Sequence, residues 1–405
     1  MTTDPVTEVL VIGGGPAGSA TALRLARAGH HVMLADRSRF PRDKACSEYM
    51  SPETVRQLDA LGVLEQLDLA GGAALDGTRV TGPAGSELTG RFARAGGTPF
   101  RATGLGLSRR TLDAALVQAA RDAGVTVIEA ARADALVRDA RGGIGGAVIE
   151  VAGTRRTVHA RVVVGADGLG SVVARRAGLH RSGHLRRVAF VAHLRGVAGL
   201  SETTELHVAH GGYVGINALG GDLANVALVL PAAMARAARG DVAGFFRAQL
   251  QRFPGVAARV AGASVVREVL ATGPFDAQSR CSTADGLLLV GDAADFFDPF
   301  TGEGICTALI GASFAATAID DALQQRGPIR HADLRSYRVA RRQAFLGKWI
   351  VERLIGYGML APALFDRAIG RLERRGMADT LIGVTGQFVS PWRVVNPVFL
   401  ARMVW

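Results

Sequence analysis

Lysine is almost missing from this chain of 405 residues: Lys44 and Lys348 are the only two, and arginine supplies nearly all of the 47 basic side chains. That governs how the net charge of +11 is read. A nucleic-acid surface gathers its cations in a patch or a run, and here they are scattered. An alanine-, glycine- and arginine-rich, lysine-poor composition is what a GC-rich genome encodes, so the charge does not indicate a nucleic-acid partner. Cysteine is scarce too. Cys46, Cys281 and Cys306 stand too far apart for a disulfide framework or a zinc site, and no metal is expected. Uninterrupted apolar runs stay short of membrane-spanning length. A basic leader running into an apolar stretch is absent, because the chain opens on an early acid and a strand pattern. These absences leave a reduced, cytoplasmic protein as the expectation. With 48% hydrophobic and 20% charged residues the chain can build a large core, in two or three domains.

What is present begins at Thr7. Glu8-Val9-Leu10-Val11-Ile12 is a nearly continuous apolar run, as a buried parallel strand requires. It turns through Gly13-Gly14-Gly15-Pro16-Ala17-Gly18 into a helix-forming segment, Ser19 to Ala28, with Gly29 at the helix stop. His31-Val32-Met33-Leu34-Ala35 is a second strand, ending on Asp36. Gly13 permits the tight turn, Gly15 lets backbone approach a pyrophosphate, and Gly18 lets helix pack on strand. The helix start offers unpaired N–H groups to phosphates, and Asp36 is placed to accept from an adenosine ribose. Strand, turn, helix, strand and acid in this order are a dinucleotide site.

Ser38 to Pro52 is a polar loop, with Ser51 as N-cap and Pro52 at the first position of the next helix. A glycine-rich stretch from Gly71 to Thr103 suggests short strands, and Ser108 opens another helix. Gly142 to Gly146 sits inside a hairpin-like pair. Ala160-Arg161-Val162-Val163-Val164 is a further buried strand closing on Gly165-Ala166-Asp167-Gly168. Alternating strands then run from His184 to about Leu270, with a helix near Ala243 to Phe253. Gly286 to Val290 restores the buried-strand pattern and leads to Gly291-Asp292, then Asp298-Pro299-Phe300-Thr301-Gly302-Glu303-Gly304-Ile305 and a small-residue helix.

On Gly13/Gly15/Gly18 with Asp36, on Gly165-Ala166-Asp167-Gly168 and on Gly291-Asp292, the chain resembles the FAD-dependent oxidoreductases of aromatic-hydroxylase-like nucleotide fold, over about residues 7–325. The loop Phe40-Pro41-Arg42-Asp43-Lys44-Ala45-Cys46-Ser47-Glu48 with Pro52 resembles the geranylgeranyl reductase and flavin-dependent halogenase branch. Reductases there often carry Cys-Gly in this loop, where this chain has Cys46-Ser47. Gly212-Tyr213-Val214-Gly215-Ile216-Asn217 stands where the branch often has a tryptophan motif. Neither lysine lies where a halogenase places its catalytic one. The resemblance implies FAD, with the Asp167 turn supporting it, Asp292 on the ribitol and Arg109 near the pyrophosphate. The residues expected to hold it are Gly13, Gly15, Pro16, Ala17, Gly18, Asp36, Arg37, Lys44, Cys46, Arg109, Asp167, Gly291, Asp292, Pro299, Gly302, Gly304 and Ile305. Donors near Gly302–Gly304 suit a reduced, anionic flavin.

The expected architecture is α/β. A Rossmann-like FAD-binding domain is assembled from residues 1–75, 104–180 and 271–330. A mostly antiparallel substrate-binding domain, 76–103 and 181–270, is inserted into it, and a helical region over 331–405 ends the chain. Phe296, Phe297 and Phe300 suggest an apolar pocket wall. Candidate catalytic residues are Cys46 and Tyr49 as proton donors, with His193, His210 and Tyr213 facing a substrate. For the two histidines, a role in lining the sheet is the alternative. The leading expected activity is monooxygenation of a lipophilic aromatic or polyketide-type secondary metabolite. Reduction of carbon–carbon double bonds in an isoprenoid or quinone chain is the first alternative, and a non-redox cyclase or binding protein the second. No second nucleotide fingerprint is visible, so NAD(P)H visits transiently or a separate reductase supplies electrons. The tail from Arg367 to Trp405 interleaves arginines with apolar residues. It suits peripheral contact with an anionic membrane or, alternatively, packing over the substrate domain.

Overall fold

Five short apolar strands run parallel in the order Leu287–Leu289, Thr154–Gly165, Val6–Ile12, Val32–Ala35 and Thr126–Ile128. The computed structural model describes residues 6–404 apart from His210. Val9, Leu10, Val11, Val163, Val164 and Leu288 are fully buried, as they must be when both faces of a parallel sheet are covered. One face carries the helices Pro16–Arg27, Arg109–Asp122 and Gly304–Leu323. The other is covered by Ala131–Arg138 and Ile144–Val151, an antiparallel hairpin around Gly142 whose second strand pairs with the start of Thr154–Gly165.

A second sheet of seven strands runs in the order Ser264–Thr272, Arg187–Arg195, Leu223–Pro231, Gly212–Gly220, Thr203–Ala209, Gly77–Thr81 and Glu87–Arg91. Every pairing is antiparallel except Thr203–Ala209 with Gly77–Thr81. The period-2 alternation uses both faces. Phe190, Ala192 and Leu194 pack on Phe246 and Leu250 of the helix Val242–Leu250. Ala189 and Val191, the intervening residues, face the opposite way toward Tyr213, Val229 and Phe300. That second face is one wall of the site.

The helix Gly304–Leu323 has the length and apolar composition of a membrane span, and is the one such helix among the described residues. It is a core element, packed against Pro16–Arg27 and Arg335–Gly358. The tail forms the helices Pro362–Arg374, Ala378–Thr385 and Pro397–Val404. Its acids cover the open edge of the second sheet. Glu373 accepts from the Thr89 N–H (2.9 Å) and Asp379 from the Arg91 N–H (2.7 Å), which satisfies donors that an edge strand otherwise leaves free. Leu372 and Ile382 are buried while Arg367, Arg374, Arg375, Arg393 and Arg402 face water. The helices Pro362–Arg374 and Ala378–Thr385 pack on the edge strand, Pro397–Val404 packs on Pro362–Arg374, and Leu364, Trp392 and Val398 stay exposed. Trp405 lies outside the described residues.

Candidate active site: a dinucleotide cradle facing an apolar wall

Three glycines of one turn serve different ends. A Cβ on Gly18 would lie 1.8 Å from the Gly13 carbonyl oxygen, and one on Gly13 would lie 2.4 Å from the Ala166 carbonyl. Gly13 also has φ +107°, a conformation other residues resist. These two are glycine because helix and strand approach too closely for anything larger. Gly15 is different. A Cβ there meets only the guanidinium ends of Arg109 (3.6 Å) and Arg42 (3.9 Å), so the space beside it is bordered by cations, not by backbone.

The helix Pro16–Arg27 begins at Gly15 with no side chain capping its first turn, leaving its N–H groups to a ligand. Arg109 is buried and doubly bonded to Asp113, Nε to Oδ1 and Nη2 to Oδ2, both at 2.8 Å. Arg42 reaches the same carboxylate at 2.8 Å. Asp113 thus orients two guanidinium groups toward the glycine turn. The sequence reading included Arg109 but missed Arg42 and Asp113. Arg42 lay within the quoted loop, yet nothing local linked it to a helix some 70 residues later.

Asp36, at the end of Val32–Ala35, accepts from the Gly14 N–H (2.6 Å) and the Ser38 N–H (2.7 Å) and lines the cleft beside Arg37. Asp292 also lines the cleft and has no hydrogen-bond partner among the described residues. Burial raises its pKa above the usual carboxylate range, and Lys44 and Arg109 pull it partly back. Lys44 is in turn depressed, by burial and by Arg109. A partly buried carboxylate without a protein donor, among cations that do not bond it, fits ribitol hydroxyls. Pro16, Ala17, Pro299, Gly302, Gly304 and Ile305 complete this half of the cleft. Gly291 lies behind it, at φ +61°, where a Cβ would come 2.9 Å from Ala17.

The Asp167 carboxylate proves to be committed within the protein. It accepts from Ser171 Oγ (2.5 Å), the Val172 N–H (2.6 Å) and the Val173 N–H (3.2 Å), closing the turn into the helix Val172–Arg176. The Asp167 turn lines the cleft, but its carboxylate shapes the cradle from within and does not point an acceptor outward.

The opposite wall is mainly apolar, with Thr78, Thr204, Asn217 and Thr272 as its uncharged polar members. Ala189, Val191, Leu206, Ala227, Val229 and Leu270 present the second sheet, with Phe275, Phe296 and Phe300 beside them, around a cavity of about 880 Å³. Tyr213 lines it too. Its hydroxyl donates to Asp298 Oδ1 (2.8 Å) and its ring stands edge-on to Phe300 at 5.1 Å. Arg187 donates to Asp298 Oδ2 (2.9 Å), so this aspartate pins the Pro299–Gly302 loop to the sheet. Tyr213 is therefore a wall residue with its proton engaged. Phe297 departs from expectation: it turns away from the cleft and packs on Tyr357 (5.8 Å) and Gly356.

Cys46 and Tyr49 both line the cleft where cradle and wall meet. The Tyr49 ring packs on Gly302, and burial, with Glu303 next to it, holds its phenol protonated well above the ordinary pKa. Glu303 is 3% exposed, accepts from Ser51 Oγ (3.1 Å), and is pushed by burial up to about 8. The sequence reading passed over it. His193 is not at the cleft surface: its ring is buried against Glu48 at 2.5 Å, beneath the loop that carries Cys46. His193 is removed from the substrate-facing set. His210 lies outside the described residues.

The side chains fit FAD. The open space at Gly15 among two guanidinium groups suits a pyrophosphate, Asp36 a ribose, the unpaired Asp292 a ribitol, and the backbone turn Gly302–Gly304 the flavin edge. Comparisons with known proteins agree. A family model described as "FAD binding domain" matches residues 6–347. The digeranylgeranylglycerophospholipid reductase of Methanothrix thermoacetophila is 30% identical over 398 residues, covering 93% of this chain and 95% of that protein. The reductase of the same name from Methanoculleus marisnigri is 30% identical over 319 residues, 76% and 75% of the two chains. Among solved structures, the flavin-dependent halogenase CmlS matches with a TM-score of 0.76 at 26% identity, over 86% of this chain and 63% of the halogenase's length. A flavoprotein/dehydrogenase from Cytophaga hutchinsonii shares the fold, with a TM-score of 0.84 at 19% identity over 98% and 96% of the two chains. The chain belongs to the FAD-binding domain family: it is an FAD-dependent oxidoreductase of the aromatic-hydroxylase-like superfamily, in its geranylgeranyl reductase and flavin-dependent halogenase branch.

Proposed function

We propose that this oxidoreductase reduces carbon–carbon double bonds in a long apolar substrate of isoprenoid or quinone type. The observation that carries the reading is the junction of the cleft. Two proton-bearing side chains, the Cys46 thiol and the Tyr49 phenol, stand between the dinucleotide cradle and a wall that presents no charged group. Saturating a double bond takes a hydride and a proton. Bound FAD supplies the hydride chemistry. The protein's part is to lay the chain along Val191, Ala227, Val229 and Leu270, keep water out, and offer a proton from the junction. The names of the archaeal relatives, reductases of a digeranylgeranyl lipid, support this reading above the monooxygenation that the sequence put first.

Oxygen insertion into a lipophilic compound is the second reading, favoured by the same dry wall with Phe275, Phe296 and Phe300, which would shelter reactive oxygen from water. In either reading NAD(P)H is the proposed electron source, arriving transiently or acting through a separate reductase. One experiment separates the two. The holoenzyme is reduced without oxygen and mixed with polyprenyl alcohols, menaquinones or aromatic polyketides, with and without labelled dioxygen, and products are weighed by mass spectrometry. Gain of two hydrogens under anaerobic conditions is the expected result. Products that form only in oxygen and carry the label would replace reduction by monooxygenation.

A further inference from the structure

Glu48 is fully buried and adopts φ +58°, a left-handed conformation that costs any residue with a side chain. Its surroundings explain why the chain keeps it there. His193, Asn225 and Arg267 are cross-strand neighbours in three adjacent strands of the second sheet: His193 is paired with Asn225 on one side and with Arg267 on the other. Pairing with Ser264–Thr272 slips on both sides of His193, an irregularity of the kind that re-aims a side chain. All three converge on one carboxylate. His193 Nε2 lies 2.5 Å from Glu48 Oε2, Asn225 Nδ2 donates to the same oxygen at 3.2 Å, and Arg267 Nη1 reaches Oε1 at 3.5 Å.

The other contacts lead into the cradle. Glu48 Oε1 accepts the backbone N–H of Arg109 at 2.8 Å, fixing the helix start whose guanidinium borders Gly15. The Glu48 N–H donates to Cys46 Sγ (3.4 Å), and Asn225 also donates to the Cys46 carbonyl (2.7 Å).

We propose that Glu48 is a positioning residue: its carboxylate clamps the row Asn225–His193–Arg267 to the Cys46 loop and the Arg109 helix start, and so sets the apolar wall in register with the cofactor cradle. Glu48 touches neither cofactor nor substrate in this role. It acts through Arg109 and Cys46, and the proposal holds whichever reaction the site performs.

Two variants of the full-length protein separate carboxylate from backbone. Glu48→Gln keeps the shape and removes the charge. Glu48→Gly suits the left-handed backbone better than the native residue and removes the side chain. Both should weaken FAD binding about tenfold by flavin-fluorescence titration, the effect of losing one charge-assisted contact network. Both should also speed alkylation of Cys46 by iodoacetamide in the holoenzyme several-fold, scored on the Cys46 peptide by mass spectrometry. A purely structural carboxylate would lower the melting temperature and leave both readouts of the folded holoenzyme alone. A folded Glu48→Gly protein with native FAD affinity and a native Cys46 rate overturns the proposal. Should neither variant fold, His193→Leu removes one strand's grip and leaves the loop intact. It should move both readouts in the same direction by less, and a folded His193→Leu protein that moves neither overturns the proposal equally.

Discussion

Two turns leave the parallel sheet toward the same cleft, and each carries an aspartate: Gly165-Ala166-Asp167 after one strand, Gly291-Asp292 after another. In sequence they look interchangeable. In the fold the Asp167 carboxylate is bonded three times to the helix start that follows it, whereas Asp292 has no donor among the described residues and lines the cleft together with Lys44 and Arg109. The deciding variable is what comes next along the chain. Ser171 begins a helix within reach of Asp167, and its orphan N–H groups take the acid. Asp292 itself sits inside a single 3₁₀ turn, Gly291–Ala293, whose N–H groups do not bond its carboxylate. Of these two turns, only the one that leaves its carboxylate without a protein donor has an acid free for a cofactor hydroxyl.

The glycines draw the same line, and give the largest expected effect. Gly15→Val should abolish FAD binding while the protein stays folded, because the added side chain enters the space beside two guanidinium groups and no backbone. A yellow Gly15→Val protein at normal FAD occupancy would falsify the assignment of that space. Next comes the aspartate pair. Asp167→Ala strips three bonds from a half-buried turn and should lower unfolding free energy by about 1–3 kcal/mol, measured by urea denaturation. The FAD affinity of its folded fraction should stay near native. Asp292→Ala should do the reverse, raising the FAD dissociation constant roughly ten- to hundredfold with little change in the urea midpoint of the apoprotein. If both variants lose stability and cofactor in parallel, the division between the two turns is wrong.

A third acid sharpens the contrast, with a smaller effect. Glu303 is neither a turn-closer nor a free ligand but a buried acid whose pKa is raised to about 8 from an ordinary 4.5. Over that interval the folded protein keeps a proton that the unfolded chain has released, so stability falls as pH rises from 4.5 to about 8 and levels off above. Glu303→Gln should flatten that decline, read as urea midpoints across the same pH range. An unaltered slope would mean that Glu303 is already ionised in the native protein.

The cradle was legible in the sequence because each of its parts is local. Strand, glycine turn, helix and acid lie within some 30 residues, and Gly13, Gly15, Gly18 and Asp36 stand where that spacing put them. The alternating strands of the second sheet were legible for the same reason. What escaped depends on contacts across the chain. His193 is on the cleft-facing side of its strand, two residues past Val191, but the Asp43–Glu48 loop covers that end of the wall, and no periodicity reports a loop 145 residues away. Arg42 and Asp113 escaped likewise, their ion pair joining a loop to a helix on another segment. Phe296 and Phe297 were read together, yet adjacent residues of an extended segment face opposite ways, and only the first faces the cleft.

The scarcity of lysine has a practical outcome at the bench. Of the two side-chain amines, Lys348 is held by Glu352 at 2.5 Å, while Lys44 stands in the cofactor cradle with its pKa lowered by burial and by Arg109. One of the two side-chain amines an amine-directed reagent could meet therefore lies inside the site. A small activated-ester dye that reaches Lys44 would react inside the cleft proposed for FAD, and bound FAD would block it. Labelling at Lys44, read on its own peptide, thus becomes a gauge of cofactor occupancy.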